Sequence, residues 1–146
     1  MGFTLIELVL VIALLGILAM AVVTFTPSPS LARLDSASKQ VSSDIEYVRQ
    51  SAMTRETVHG IEFIANGNYT AYQTSTATPV LDPLTKQNMI VNFSSFYSGV
   101  SIQNNYTVEF DRFGKPIGGG GSVTLTNGST TKIISVQANT GRVSIQ

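Results

Sequence analysis

The chain has 146 residues, its nine Lys and Arg balance nine Asp and Glu, and it contains one His and no Cys. That length leaves room for one globular domain beside a long apolar segment. The lack of cysteine excludes disulfides and thiolate metal sites. Neutral balance with only 12% charged residues argues against a strongly electrostatic partner such as bulk nucleic acid.

Phe3 to Phe25 is a nearly unbroken apolar run with a single acid, Glu7, near its start. As a helix it would rise about 35 Å, enough to cross a bilayer core. A carboxylate on such a segment costs a few kcal/mol at the bilayer centre and less toward its edge. An acid retained there needs a partner, and cleavage after Gly2 would create one, the new amine of Phe3. A secretory signal peptide would carry a basic start and a small-residue cleavage site after a shorter apolar stretch, and neither is present. Ala13, Gly16, Ala19 and Ala21 place small residues along the run, compatible with close packing against other helices.

Pro27 and Pro29, one residue apart, predict a kink or short break, after which Ser28 or Ser30 can cap a restarted helix. From there Leu31, Leu34, Val41, Ile45, Val48 and Ala52 fall at near-heptad spacing, with Ser38 filling the gap. That pattern predicts an amphipathic helix with one buried stripe. Beyond Met53 the periodicity changes to that of strands. Val58–Ile64 and Tyr69–Gln73 flank the turn residues Asn66-Gly67, a hairpin signal. Residues 74–87, broken by Pro79 and Pro83, read as a loop. Met89–Phe93, Val100–Gln103 and Thr107–Phe113 read as short strands, and the glycine-rich Pro116–Gly121 as a flexible connection. Ser122–Thr126 and Thr130–Val136 flank Asn127-Gly128, a second hairpin. Gln137–Gly141 turns, and Arg142–Ile145 makes a last strand. The fold class expected is α+β: a long N-terminal helix followed by a mainly antiparallel sheet.

The run from Gly2-Phe3-Thr4-Leu5-Ile6-Glu7 through Ala19 resembles the class III signal of type IV pilins and type II secretion pseudopilins. The resemblance implies cleavage after Gly2 by a membrane prepilin peptidase, N-methylation of Phe3, and pairing of Glu7 with the terminal amine of a neighbouring subunit. It also implies the pilin fold, other pilin or pseudopilin subunits as partners, and a single pass through the bacterial inner membrane with a periplasmic C-terminal domain. The chain then divides into a leader remnant (1–2), a transmembrane and filament-core helix (3–26), an amphipathic helix on the sheet (27–55) and a periplasmic β domain (56–146). Cations near the segment lie beyond it, at Arg33 and Lys39. The positive-inside rule alone would put that side in the cytoplasm, opposite to the orientation the resemblance implies.

Three stretches of the soluble part are similar to H-type minor pseudopilins and related minor pilins. They are Ser43–Ala52 leading into Val58–Phe63, Val108–Gly114, and Thr140-Gly141-Arg142-Val143. Some minor pilins of that group bind DNA through a C-terminal glycine-arginine motif with a second arginine two residues on. Arg142 is therefore the candidate DNA contact, but Ser144 occupies the second position. Tyr69, Tyr72, Phe96, Tyr97 and Tyr106 could stack bases; packing in the sheet is the plainer reading. The function expected is a minor pseudopilin or minor pilin, with a DNA-binding pilin or a major pilin as alternatives. No enzyme is expected, since His59 stands alone and no nucleophile–base pair is visible. No metal or other cofactor is expected.

Overall fold

The first helix, α1, comprises Leu5–Thr24. The computed structural model describes residues 2, 4–24 and 28–146 (for residues 21–24 the backbone only). The break expected around Pro27 lies partly outside those residues. The chain re-enters helix at α2, Pro29–Arg55, with Ser28 at the cap position. Ser28 makes no side-chain capping bond to the backbone. Pro29 at the first helical position starts the helix instead, its fixed φ already helical and its missing N–H unneeded there.

Ten strands follow: β1 His59–Phe63, β2 Asn68–Gln73, β3 Ser75–Pro79, β4 Ile90–Asn92, β5 Ser101–Ile102, β6 Tyr106–Phe110, β7 Pro116–Ile117, β8 Gly121–Thr126, β9 Thr131–Val136 and β10 Val143–Ile145. A helical turn, α3, covers Phe93–Phe96. One sheet has the order β3-β2-β1-β6-β7, with β4 also on β2, and the other runs β10-β9-β8-β5. All pairings are antiparallel. Helix α2 packs on both sheets, against β1 on one side and β9 and β10 on the other.

The core lies between α2 and the sheets. Leu34, Val41, Ile45, Val48 and Ala52 of α2 are fully buried there against Ile61, Phe110, Val123 and Ile134. Register is held by the period-2 pattern of the strands: Ile61 pairs Val108 across β1–β6 and Ala71 across β1–β2. Gly60 pairs Tyr72, and a Cβ at Gly60 would stand 2.5 Å from the Tyr72 ring. The absent side chain thus lets that ring lie across β1, where its hydroxyl donates to Glu109 at 2.9 Å.

Several sequence expectations need correction. Leu31 is 39% exposed and does not belong to the buried stripe, whereas Ala37, Asp44 and Ser51 do. Asp44 is tolerated inside because Tyr69 donates to its Oδ2 at 2.5 Å and Gln40 to its Oδ1 at 2.8 Å. Burial pushes its carboxyl above the usual range, and those two donors oppose the shift. The presumed loop 74–87 contains β3, whose residues are almost all exposed; a strand wet on both faces carries no apolar alternation to read. The stretch Met89–Phe93 is a strand only to Asn92, whose side chain then caps α3 by accepting the Ser94 N–H. The strand expected over Thr107–Phe113 stops at Phe110. Asp111 turns the chain, its Oδ1 accepting from the N–H groups of Phe113 and Lys115 at 2.9 Å each. The connection starting at Pro116 opens with β7, paired to β6.

Replacing the buried Ile45 by Ala should lower the stability of the sheet domain by about 2–5 kcal/mol, read as a fall in urea midpoint with an unchanged slope. Leu31→Ala should stay within about 0.5 kcal/mol of the parent.

Candidate functional site

Among its described side chains helix α1 has no polar face. From Leu5 to Met20 its side chains are exposed throughout, with Leu5 at 81% and Met20 at 78%. A helix apolar all round is at home in hydrocarbon or among other apolar helices, not in water. The described side chains stop at residue 20, a rise of about 24 Å against a bilayer core of about 30 Å. Among the described residues no helix is long and apolar enough to cross a membrane. The α1 backbone continues helical to Thr24, which brings its rise to about 30 Å.

Glu7 lies in the first turn of α1. The Thr4 carbonyl accepts the N–H groups of Glu7 at 3.1 Å and Leu8 at 3.3 Å, placing Thr4 at the cap. Thr4-Leu5-Ile6-Glu7 thus has the spacing of a capping box, in which the acid reaches back to the cap backbone. That signal is legible in the sequence, and a capping bond would give Glu7 a local use beside the one the resemblance implies. The helix dipole also favours an anion in the first turn, by about 0.3–1 kcal/mol, which is less than the cost of carrying a carboxylate into hydrocarbon. Gly2 is exposed, and Phe3 lies outside the described residues. A Cβ at Gly16 would meet no atom within 4 Å, so within its own chain nothing requires a glycine there.

The C-terminal Gly141-Arg142 pair has a structural explanation for its first member. Gly141 has φ +66°, and a Cβ there would lie 2.4 Å from the Gly114 carbonyl oxygen and 3.1 Å from the Phe110 ring. Arg49 of α2 donates through Nε to that same carbonyl at 3.0 Å and through its guanidinium to Glu46 at 3.2 Å. Glu46 in turn accepts the Val143 N–H at 3.4 Å. Two charged residues of α2 thereby clasp the β6–β7 turn and the start of β10. Arg142 itself is exposed. Other cations are engaged away from it: Lys132 and Lys39 with Asp35, Arg33 with the Ser98 carbonyl, and Arg112 over the Phe113 ring. Of the five aromatics that could stack bases, Tyr69 and Tyr72 are buried, Tyr97 and Tyr106 half-buried, and only Phe96 is exposed.

His59 is fully buried on β1, its Nδ1 3.0 Å from the Thr57 carbonyl oxygen. Among the described residues no group of three or more His, Cys, Asp or Glu is arranged to hold a metal ion.

Two crystal forms of the type IV minor pilin FimU of Pseudomonas aeruginosa superpose on the chain with TM-scores of 0.56 and 0.59. They cover 77% and 82% of this chain and 92% of FimU, at 13% identity in each case. This is a pilin fold. At that identity the likeness is one of fold, and it rests on the N-terminal helix followed by the antiparallel sheet domain. No protein-family model and no curated protein matches the chain. The Arg49–Gly114–Gly141 clasp holds α2 to the sheets.

Gly141→Ala should destabilise the sheet domain by more than about 1 kcal/mol, because the new methyl meets backbone at a positive φ. Arg142→Ala should leave the urea midpoint within about 0.5 kcal/mol of the parent. Equal effects of the two substitutions would contradict the clasp.

Proposed function

We propose that the chain is a structural pilin-type subunit, a minor pilin or minor pseudopilin, that assembles through α1. The likeness to FimU supports the pilus side of that choice, and the H-type similarity of the soluble stretches supports a minor subunit. Prepilin peptidase would cut after Gly2 and methylate Phe3. Before assembly α1 would sit as a single pass in the bacterial inner membrane with the sheet domain in the periplasm. In the filament it would lie among the α1 helices of other subunits. The observation that carries this reading is a 20-residue helix with hydrocarbon on every described side.

Magnitudes separate the two jobs of that helix. A dozen large apolar side chains of α1 stand exposed, and covering them is worth on the order of 20 kcal/mol. One carboxylate costs a few kcal/mol against that, so insertion does not depend on Glu7. Register between subunits would. A carboxylate and an ammonium attract far more strongly in a low-dielectric surround than in water, and removing one strands the other. Glu7 would pair with the Phe3 amine of a neighbouring subunit. The structural explanation for Gly141 and the dispersed cations do not favour DNA binding through Arg142.

Substitution at Glu7 distinguishes pairing from capping, since Gln preserves a capping box but carries no charge. Pairing predicts that Glu7→Gln and Glu7→Ala both reach the membrane at parental levels, and both enter filaments poorly. Filament entry restored by Gln would assign Glu7 to the cap alone. Intact-mass analysis of the filament protein should show a chain that begins at Phe3 with one added methyl group.

A further inference from the structure

His59, the chain's only histidine, stands where α2 gives way to β1. The helix ends at Arg55, Glu56 turns the chain at φ +53°, and Thr57 and Val58 lead into the strand. The period-2 alternation of β1 puts His59 on the same face as Ile61 and Phe63, toward the core and without exposed surface. Its strand neighbours are Gln73 of β2 and Phe110 of β6.

Hydrogen bonds fix the state of the ring. Nδ1 lies 3.0 Å from the Thr57 carbonyl oxygen. A carbonyl only accepts, so Nδ1 carries the hydrogen and Nε2 is the bare nitrogen of a neutral imidazole. Nε2 is buried and meets no hydrogen-bond partner among the described residues. The same short connection is tied to β2. Gln73 donates through Nε2 to the Thr57 hydroxyl at 3.2 Å, and the Thr74 N–H donates to the Val58 carbonyl at 3.0 Å.

The surroundings hold no counter-ion for a charged ring. None of the ion pairs among the described residues includes His59. On α2, Arg49 and Glu46 hold each other, Asp44 is taken by Tyr69 and Gln40, and Arg55 and Glu56 are exposed. On β2 the neighbour is the neutral Gln73. Glu62 of β1 and Glu109 of β6 alternate to the opposite face of the sheet, and Asp111 is held by the N–H groups of its own turn. A proton on Nε2 would bring into the core a charge without a partner and a donor without an acceptor, each costly when buried.

We propose that His59 is an acid-sensitive latch on the junction between α2 and the first sheet. Neutral, the ring fills its place beside Phe110 and ties Thr57. Protonated, it leaves for water, and the junction opens locally with it. The open junction binds a proton that the closed one excludes. The closed form is therefore favoured at neutral pH and lost as pH falls through the range in which histidine charges. No residue of α1 takes part, so the latch holds or fails independently of the assembly role of that helix.

The test uses the full chain, isotope-labelled in detergent micelles. With one histidine in the chain, the imidazole nitrogen spectrum belongs to His59 alone, and at about pH 7.5 it should show the neutral form protonated at Nδ1. Hydrogen exchange at the Thr74 amide, bonded to Val58, reports the junction. Between about pH 7.5 and about pH 5 its protection factor should fall by about tenfold or more. In His59→Phe, similar in size and without a titrating group, it should stay constant. Because the opening is local, low urea should speed exchange at Ile134 of β9 and leave that at Thr74 unchanged. A charged ring at about pH 5 with Thr74 still protected, a ring protonated at Nε2 alone, the same acid response in His59→Phe, or equal urea dependence at the two amides would overturn the latch. Where His59→Phe does not fold, the parent decides alone, and Thr74 protection unchanged by acid overturns it.

Discussion

Apolar surface with nothing from its own chain to cover it is the constraint around which this molecule is organised. The sequence of helix α1 is Leu, Ile, Val and Ala for the most part, and none of its described side chains is tucked against the sheet domain. The hydrophobic effect is non-directional, so it requires only that something apolar surround the helix, whether lipid or other helices. It does not choose the angle or the step between neighbours. Under the proposed assembly a directional interaction would do that, and Glu7 is the one charged residue in the α1 sequence.

The remainder of the fold answers a different problem, which is how to hold α2 to a domain without disulfides. Cysteine is absent, so the attachment is made by packing and a few polar bonds between distant parts of the chain. Leu34 through Ala52 supply the packing. Arg49 and Glu46 supply the bonds, meeting the Gly114 carbonyl and the Val143 N–H. Gly141 makes room for that meeting. Tyr69 and Gln40 do the same for Asp44, which would otherwise be an acid in a core stripe. Helix α2 therefore belongs mechanically to the sheets.

Much of this was legible in the residues before any coordinates, and the parts that were not share a physical character. Both hairpins followed from Asn66-Gly67 and Asn127-Gly128, whose local chemistry suffices to turn a chain. The stripe on α2 followed from its spacing. Leu31 keeps the spacing of the stripe but is 39% exposed, since periodicity marks a helix face and not how far along it the cover extends. The burial of Asp44 could not be read, because its partner Tyr69 comes from another element. The strand Ser75–Pro79 has no buried face to pattern, and the helical turn Phe93–Phe96 depends on where Phe93 can be buried. In the site, Glu7 was conspicuous as a lone charge among hydrocarbons. The capping-box spacing of Thr4 with Glu7 is equally visible in the sequence. The clasp at Gly141 could not be read, since Arg49, Gly114 and Gly141 become neighbours only through the fold.

The central claim is that α1 is covered on all sides by lipid or by other subunits. Because the chain lacks cysteine, single substitutions report each face without interference. Ile12→Cys, Leu14→Cys, Leu15→Cys and Ile17→Cys sample the circumference of the helix, and Thr54→Cys on the exposed side of α2 serves as the reference. In intact membranes and in assembled filaments, a membrane-impermeant maleimide should label the reference and leave all four α1 positions unmodified. Labelling of the α1 positions as rapid as that of residue 54 would show a helix bathed in water and would contradict the account.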